Sequence, residues 1–268
     1  MDKKIISVIN QKGGVGKTTT VINLAAGLTM KGKKILVIDL DPQGNATTGL
    51  GLSNTENSEL TIYSVLNGNK KISEVVQSTK FENLNLVSSN VDLSGLEVET
   101  AGDSRRAFKL KDELASILND SGASYDYILI DCPPSLNLLT INAMEFCRGV
   151  LVPVQCEYYA LEGLVTLKST IEQLNESRGL QIEIIGILRT MADWRNRLTR
   201  EVSNQLESHF KSMVLNTIIP RNVRLAEAPS YGQSIVDYDI KSIGGEAFLS
   251  LSGEFIRRFE NAEKKSTK

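Results

Sequence analysis

Seven short apolar runs, rich in β-branched residues, recur along the chain at 5–10, 35–39, 84–87, 127–131, 150–154, 182–188 and 214–219. Each is continuous instead of alternating, which predicts parallel strands buried on both faces. Between them, 19–30, 105–119, 138–146, 161–176 and 198–210 carry apolar residues at the spacing of amphipathic helices. Strand and helix alternating through short connections predict an α/β fold, with one doubly wound, mostly parallel sheet flanked by helices and right-handed crossovers. Ligand chemistry in such a sheet gathers beyond the carboxyl ends of its strands. The least regular stretch, 50–80, is polar and Asn/Ser-rich around Ile62, Val65 and Leu66, and is expected to be an elaborated connection inside one domain spanning 1–268. A final helix over 245–261 sets Phe248, Leu251, Phe255 and Phe259 on one stripe, which should dock on the core, while 262–268 is a charged tail expected to fray.

Composition narrows the class. At 268 residues with 41% hydrophobic content the chain can bury one substantial core. It has no apolar run of spanning length, and Met1-Asp2-Lys3-Lys4 leads straight into a strand without a signal-peptide core, so a soluble cytoplasmic protein is expected. The three cysteines, Cys132, Cys147 and Cys156, show no CxxC spacing and suggest neither a disulfide framework nor a zinc site. The formal charge of −2 hides an asymmetry: Arg189, Arg195, Arg197, Arg200, Lys211, Arg221 and Arg224 face only Asp193, Glu201 and Glu207 across 189–224. A basic segment on an acidic protein is the footprint of a polyanion partner, although charged helix faces are commonly just solvated.

The chemistry starts at Gln11-Lys12-Gly13-Gly14-Val15-Gly16-Lys17-Thr18-Thr19, which follows the first strand run and opens the first helical one. Strand, glycine-rich loop and helix are the order of a phosphate-binding loop: backbone N–H groups wrap phosphate oxygens, and glycine is needed where φ is unusual. Lys17 is then placed for the β- and γ-phosphates, Thr18 for Mg²⁺, and the helix N-terminus adds its partial positive charge. The pattern departs from GxxxxGK[ST], because Gln11 stands where the first glycine would be and a second lysine, Lys12, enters the loop. Within a monomer Lys17 already serves the phosphates, so Lys12 has no evident role there. Downstream, Ile38-Asp39-Leu40-Asp41-Pro42-Gln43-Gly44-Asn45 places two carboxylates at a strand exit, and Tyr127-Ile128-Leu129-Ile130-Asp131 ends in a third.

These motifs together resemble the deviant Walker A ATPases, the ParA and MinD superfamily. Lys12-Gly13-Gly14-Val15-Gly16-Lys17-Thr18-Thr19 is similar to that loop, Asp39 to Asn45 to the family's DxDPQGN, and Asp131-Cys132-Pro133-Pro134-Ser135 to its Walker B continuation. The resemblance implies an ATPase using ATP and Mg²⁺. Lys12 would reach the partner's ATP in a sandwich homodimer, Asp41 would position the attacking water, and Asp39 would stand behind it. Thr18, Asp41 and Asp131 would form the metal side, and residues Gly13 to Thr19 the phosphate cradle. Pro220-Arg221-Asn222-Val223-Arg224-Leu225 resembles the stretch whose loop, here Pro220 and Asn222, cups adenine.

The segment from Gln155 to Leu164 resembles the chromosomal ParA and Soj branch more than MinD, and Thr190 to Asn196 falls where that branch carries a basic segment implicated in non-specific DNA binding. Arg195, then Arg221, Arg224 and Lys241, are the implied contacts with double-stranded DNA. Gln233 and Ile243 stand where relatives commonly have a lysine and an arginine, which thins that face. The resemblance implies a partition ATPase located at the nucleoid, slow until stimulated by a ParB-like centromere-binding protein, with no stable membrane association. Rival expectations are a MinD-like membrane-positioning ATPase, a metal-cluster protein of the nitrogenase-like branch, or a ParA-like positioner of a cargo other than DNA.

Overall fold

The computed structural model of the chain describes residues 5–53, 59–119 and 125–266, with Asn119 and 259–266 described by backbone alone. Eight strands form one sheet: β1 (Ile5–Val8), β2 (Ile35–Asp39), β3 (Gln77–Ser78), β4 (Leu84–Val87), β5 (Tyr127–Asp131), β6 (Gly149–Gln155), β7 (Glu183–Ala192) and β8 (Val214–Pro220). Their order is β3-β4-β2-β5-β1-β6-β7-β8, and every pairing is parallel except β3 with β4. The seven expected strands are present. β1 stops at Val8, two residues before the expected 10, where the loop begins, and β7 runs on to Ala192. The antiparallel edge strand β3 is new, because two residues carry no periodicity to read.

The helices are α1 (Lys17–Thr29), α2 (Asn45–Gly49), α3 (Ile62–Leu66), α4 (Ile72–Val75), α5 (Leu96–Glu99), α6 (Lys109–Asn119), α7 (Leu138–Met144), α8 (Ala160–Arg178), α9 (Arg197–Phe210), α10 (Val223–Glu227), α11 (Ile235–Tyr238) and α12 (Ile243–Ser266). Alternate strand residues divide between two buried layers. Ile5, Leu36, Ile38, Ile128 and Ile130 meet Leu110, Leu139, Leu167 and Leu206 on one face. Ile6, Ile35, Val37 and Leu129 meet Val21, Leu24, Phe248 and Leu251 on the other. At roughly 2 kcal/mol for each fully buried aliphatic side chain, these layers hold the helices on the sheet far more than helix propensity does.

The last helix docks as its stripe predicts: Phe248, Leu251 and Phe255 are buried, and the Phe255 ring meets Tyr127 edge-on at 5.4 Å. The Phe259 side chain lies outside the described residues. The expected frayed tail is helical in its backbone through Ser266, and 267–268 lie outside the described residues. Gly27 explains how closely α12 approaches α1, since a Cβ there would stand 2.2 Å from the Ser252 hydroxyl. Among the described residues no helix is long and apolar enough to cross a membrane.

At the β8 edge the unpaired strand groups are met by side chains of α12. Glu254 accepts from the Asn216 and Thr217 amides, both at 2.8 Å, and Arg258 donates to the Ser212 and Val214 carbonyls at 2.7 and 2.9 Å. An edge closed in this way is withheld from pairing with another chain. Burial alone would raise the Glu254 carboxyl, but the Asn216 and Thr217 donors and Arg258 outweigh it and hold it below its ordinary 4.5. A depressed carboxyl contributes stability that is complete above the ordinary value and is lost as pH falls through the folded value. Glu254→Ala should therefore lower the unfolding free energy by about 2 kcal/mol at neutral pH. Urea midpoints of the wild type and Glu254→Gln should converge as the pH drops below 4.5.

Candidate nucleotide-binding and hydrolysis site

The loop after β1 is fastened before any ligand arrives. Asn10 donates to the Pro153 carbonyl at 2.8 Å and accepts from the Lys12 amide at 2.9 Å, while the Thr190 hydroxyl donates to the Val15 carbonyl at 2.8 Å. Gly14 and Gly16 have φ of 72° and 87°, a left-handed conformation that β-carbon-bearing residues disfavour. Gly16 is the N-cap of α1 and no side chain caps that helix. Its first amides and its positive end are thus presented to the cleft as an anion site.

Lys17, the first residue of α1, is 7% exposed, and its ammonium donates to the Lys12 carbonyl at 3.3 Å. Burial pushes it below its ordinary 10.5, against the opposing pull of Asp131 and Asp41. Asp131 and Asp39 end adjacent strands in direct register. Asp39 is fully used: it accepts from the Thr47 amide and hydroxyl at 2.9 and 2.8 Å and from the Asp41 amide at 3.1 Å. Burial nevertheless raises it to about 6. Asp131 is raised further, by burial first and by Asp39 second, with Thr18 and Lys17 opposing. The Thr18 hydroxyl stands near it, but neither of its buried oxygens has a partner in hydrogen-bond geometry.

An orphaned buried carboxylate next to a threonine hydroxyl fits a hard divalent ion or its bound water. Among the described residues no three His, Cys, Asp or Glu side chains form a cage. That is the expected arrangement for Mg²⁺, which keeps waters and binds through one or two carboxylates and substrate phosphates.

Two cavities make one cleft. The larger, about 660 Å³, is bounded by Gly13, Gly14, Lys17, Thr18, Asp41 and Pro134. The smaller, about 170 Å³, is lined by Ile219, Pro220, Asn222, Leu225 and Phe248. Gly16, Thr19 and Met191 border both. The structure thus brings Pro220 and Asn222 to the same cleft as the phosphate loop. Asn222 also caps α10, accepting from the Arg224 amide at 2.7 Å.

Lys12 does not line the cleft. Its ammonium is paired with Glu157, each side chain half exposed, beside the edge-on pair of exposed rings Tyr158 and Tyr159. Sequence reasoning missed Glu157, since nothing local marks it as the partner of a residue 145 positions away. It also missed Thr47, which ties Asp39 to the Ser89 amide at 3.0 Å.

The basic segment is less free than its composition suggests. Arg189, counted there as a surface charge, is 3% exposed and donates to Ser203 and to the Leu215 carbonyl at 2.8 and 2.7 Å. It pins α9 to β8 because a strand residue facing a helix is interior whatever its charge. Arg195 is clamped by Asp193 at 2.9 and 2.7 Å, Arg197 by Glu201, and Arg224 by Glu227 at 2.9 Å. Arg221 adds its field to the same Asp193 carboxylate, which together with Arg195 is held down to about 2. Arg200, Arg221 and Lys241 are exposed. The three cysteines are buried and free.

Fold and site together define a P-loop nucleoside triphosphatase of the deviant Walker A class. The family model described as "AAA domain" matches residues 3–184. The chain is 44% identical over 263 residues to the chromosome partitioning protein ParA of Caulobacter vibrioides, covering 98% of this chain and 97% of that one. It is 45% identical to the sporulation initiation inhibitor protein Soj of Bacillus subtilis, over 94% and 97% of the two chains. The structure of cobyrinic acid a,c-diamide synthase from Mycobacterium smegmatis, with an ATP analogue and magnesium, superposes with a TM-score of 0.81 at 32% identity, covering 97% and 96%. This chain belongs to the ParA/Soj family of partitioning ATPases.

Gly16→Ala tests the loop. A left-handed alanine is strained by about 1–2 kcal/mol, and the added Cβ would stand 3.6 Å from the Met191 methyl. Titration with a fluorescent ATP analogue should show affinity lowered roughly tenfold, as about 1.4 kcal/mol corresponds to one decade.

Proposed function

We propose that this chain is an ATP-dependent partition switch. With ATP and Mg²⁺, two copies close into a homodimer that binds double-stranded DNA without regard to sequence. Hydrolysis, slow alone and stimulated by a ParB-like centromere-binding protein, reopens the dimer and so moves a chromosome or plasmid origin over the nucleoid. The observation that carries the reading is the different placement of two lysines in one loop. Lys17 is buried near Asp41 and Asp131, whereas Lys12 is turned to Glu157 outside the cleft lining. A second cation that does not serve its own phosphates is available to those of a facing copy, and the exposed rings of Tyr158 and Tyr159 lie next to it.

In this reading the triphosphate lies along the loop between Gly13 and Thr19, with its base against Pro220 and Asn222. Backbone amides at the start of α1 and the Lys17 ammonium take up the charge that spreads over the phosphate oxygens as the terminal bond breaks. Thr18, Asp131 and Asp41 are the oxygen donors that would hold Mg²⁺, Asp131 through water, and the bound ion would neutralise the β- and γ-phosphates. Asp41 has one oxygen engaged by the Gln43 amide at 3.0 Å and borders the larger cavity, which suits it to orient a water for in-line attack. Asp39 sets Asp41 by accepting from its amide. Contacts from Arg195, Arg221, Arg224 and Lys241 to DNA phosphates would position the dimer without reading sequence.

Binding to random-sequence duplex DNA at two salt concentrations tests the reading. With ATP the wild type should bind and with ADP it should not. Asp41→Ala should hydrolyse about 100-fold or more slowly yet still bind DNA with ATP. Arg195→Glu should dimerise with ATP and fail to bind, and affinity should fall steeply with salt because counterion release drives the contact. If ATP dimerises the wild type and DNA still does not bind at low salt, DNA is not its track.

A further inference from the structure

The end of β7 is tied to the phosphate loop more closely than parallel strand pairing requires. Gln155, the last residue of β6, sits in register with Thr190, and its amide nitrogen reaches the Gly14 carbonyl at 3.3 Å and the Met191 sulfur. Thr190 holds the next loop carbonyl, that of Val15. Two consecutive loop peptides are therefore oriented by β6 and β7. A peptide plane that turns its amide toward phosphate must carry its carbonyl with it, so phosphate occupancy acts directly on these two contacts.

Met191 is where such a movement would be felt. It has φ of 49°, a basin that an unbranched side chain enters only when its surroundings hold it there. Its side chain borders both cavities, and its methyl carbon faces Gly16. The allowed basins of such a residue are separated by forbidden backbone angles, so leaving this one is a jump and not a gradual drift. Beyond it the chain is fixed again. The Ala192 carbonyl accepts from the Arg221 amide at 3.2 Å, and Asp193 accepts from the Arg195 amide at 3.1 Å and clamps its guanidinium. Asp193 and Arg195 form one locked unit, so a rotation at Met191 that carries the Ala192–Arg221 contact with it would move Trp194 and Arg195 as a body. Trp194, 42% exposed and the one tryptophan in the chain, lies between the joint and the arginine.

We propose that Met191 is a hinge, and Gln155 its positioning residue, through which phosphate occupancy of the loop sets the orientation of the Trp194–Arg195 surface and so the affinity for a polyanion. The DNA arm of this inference rests on the partition reading above; the hinge does not. The same geometry predicts that ATP and ADP place Trp194 differently, because they differ in what they ask of Gly14 and Val15.

Tryptophan emission of the full chain reports the hinge without DNA, and duplex DNA binding is measured on the same samples at saturating ATP or ADP, with nucleotide occupancy checked by equilibrium dialysis. Wild-type emission should differ between the two nucleotides. Gln155→Leu, which keeps bulk and removes the amide, should bring the two spectra together and shrink the ATP-to-ADP ratio of DNA affinities at least fivefold. Met191→Leu, which removes the sulfur and shortens and branches the side chain, is read in parallel so that a folding defect in one variant leaves the other to decide. Wild-type spectra that do not distinguish ATP from ADP, or variants that keep the wild-type difference, overturn the hinge. A wild type that shows the spectral difference but binds no DNA upholds the hinge and sinks the DNA reading.

Discussion

The structure depends on a charge problem placed at its centre. Asp39 and Asp131 end neighbouring parallel strands in register, both fully buried, and the cation beside them, Lys17, is itself pushed toward neutrality by burial. Ionised groups taken out of water cost several kcal/mol each unless partners compensate. Asp39 is compensated from within by Thr47 and the Asp41 amide; Asp131 is left open. That asymmetry separates a structural carboxylate from one held for a ligand. A triphosphate arriving alone would add negative charge to a cleft already lined by carboxylates, so nucleotide and divalent ion are favoured together far more than either is alone.

How much of this the sequence disclosed follows from what each feature needs. The phosphate loop is local, because only eight residues separate the end of β1 at Val8 from the start of α1 at Lys17, and its role could be read from spelling alone. Asp131 was legible only in company: four apolar residues and an aspartate say little alone, and gained force from the phosphate loop upstream and from Cys132-Pro133-Pro134-Ser135 following. Features that depend on distant pairing were not legible. Glu157 reaches Lys12 across 145 positions, Thr47 ties Asp39 to Ser89, and the left-handed Met191 is spelled like any core methionine. Arg189 failed for a related reason: on a strand between helices, position overrides charge, and the cation is buried on Ser203, Glu207 and a carbonyl.

Burial of Arg189 changes how the basic surface must be understood. Composition suggests a strip of seven cations, yet one is interior and three are paired with carboxylates on their own element or a neighbouring turn. Such exposed pairs contribute little, because water and salt screen them. They lower the field at rest without locking the arginines, and a phosphate brought close can replace a surface carboxylate. A surface of this kind would hold a polyanion weakly and release it readily, which is what the proposed partition switch requires.

The same arithmetic applies to Lys12. Its pair with Glu157 is half exposed on both sides and so is worth little more than a surface contact. Against it stands the pull of a triphosphate, which carries several charges and, once two copies close, is shielded from water, where each charge–charge contact strengthens. In the proposed dimer the balance would lie with the closed state only when phosphates are present on the facing copy. Glu157 holds a half-exposed lysine away from its own cleft lining, and on closure it would be the carboxylate that loses a partner. A glutamate two residues beyond a strand end would thus oppose that closure only weakly.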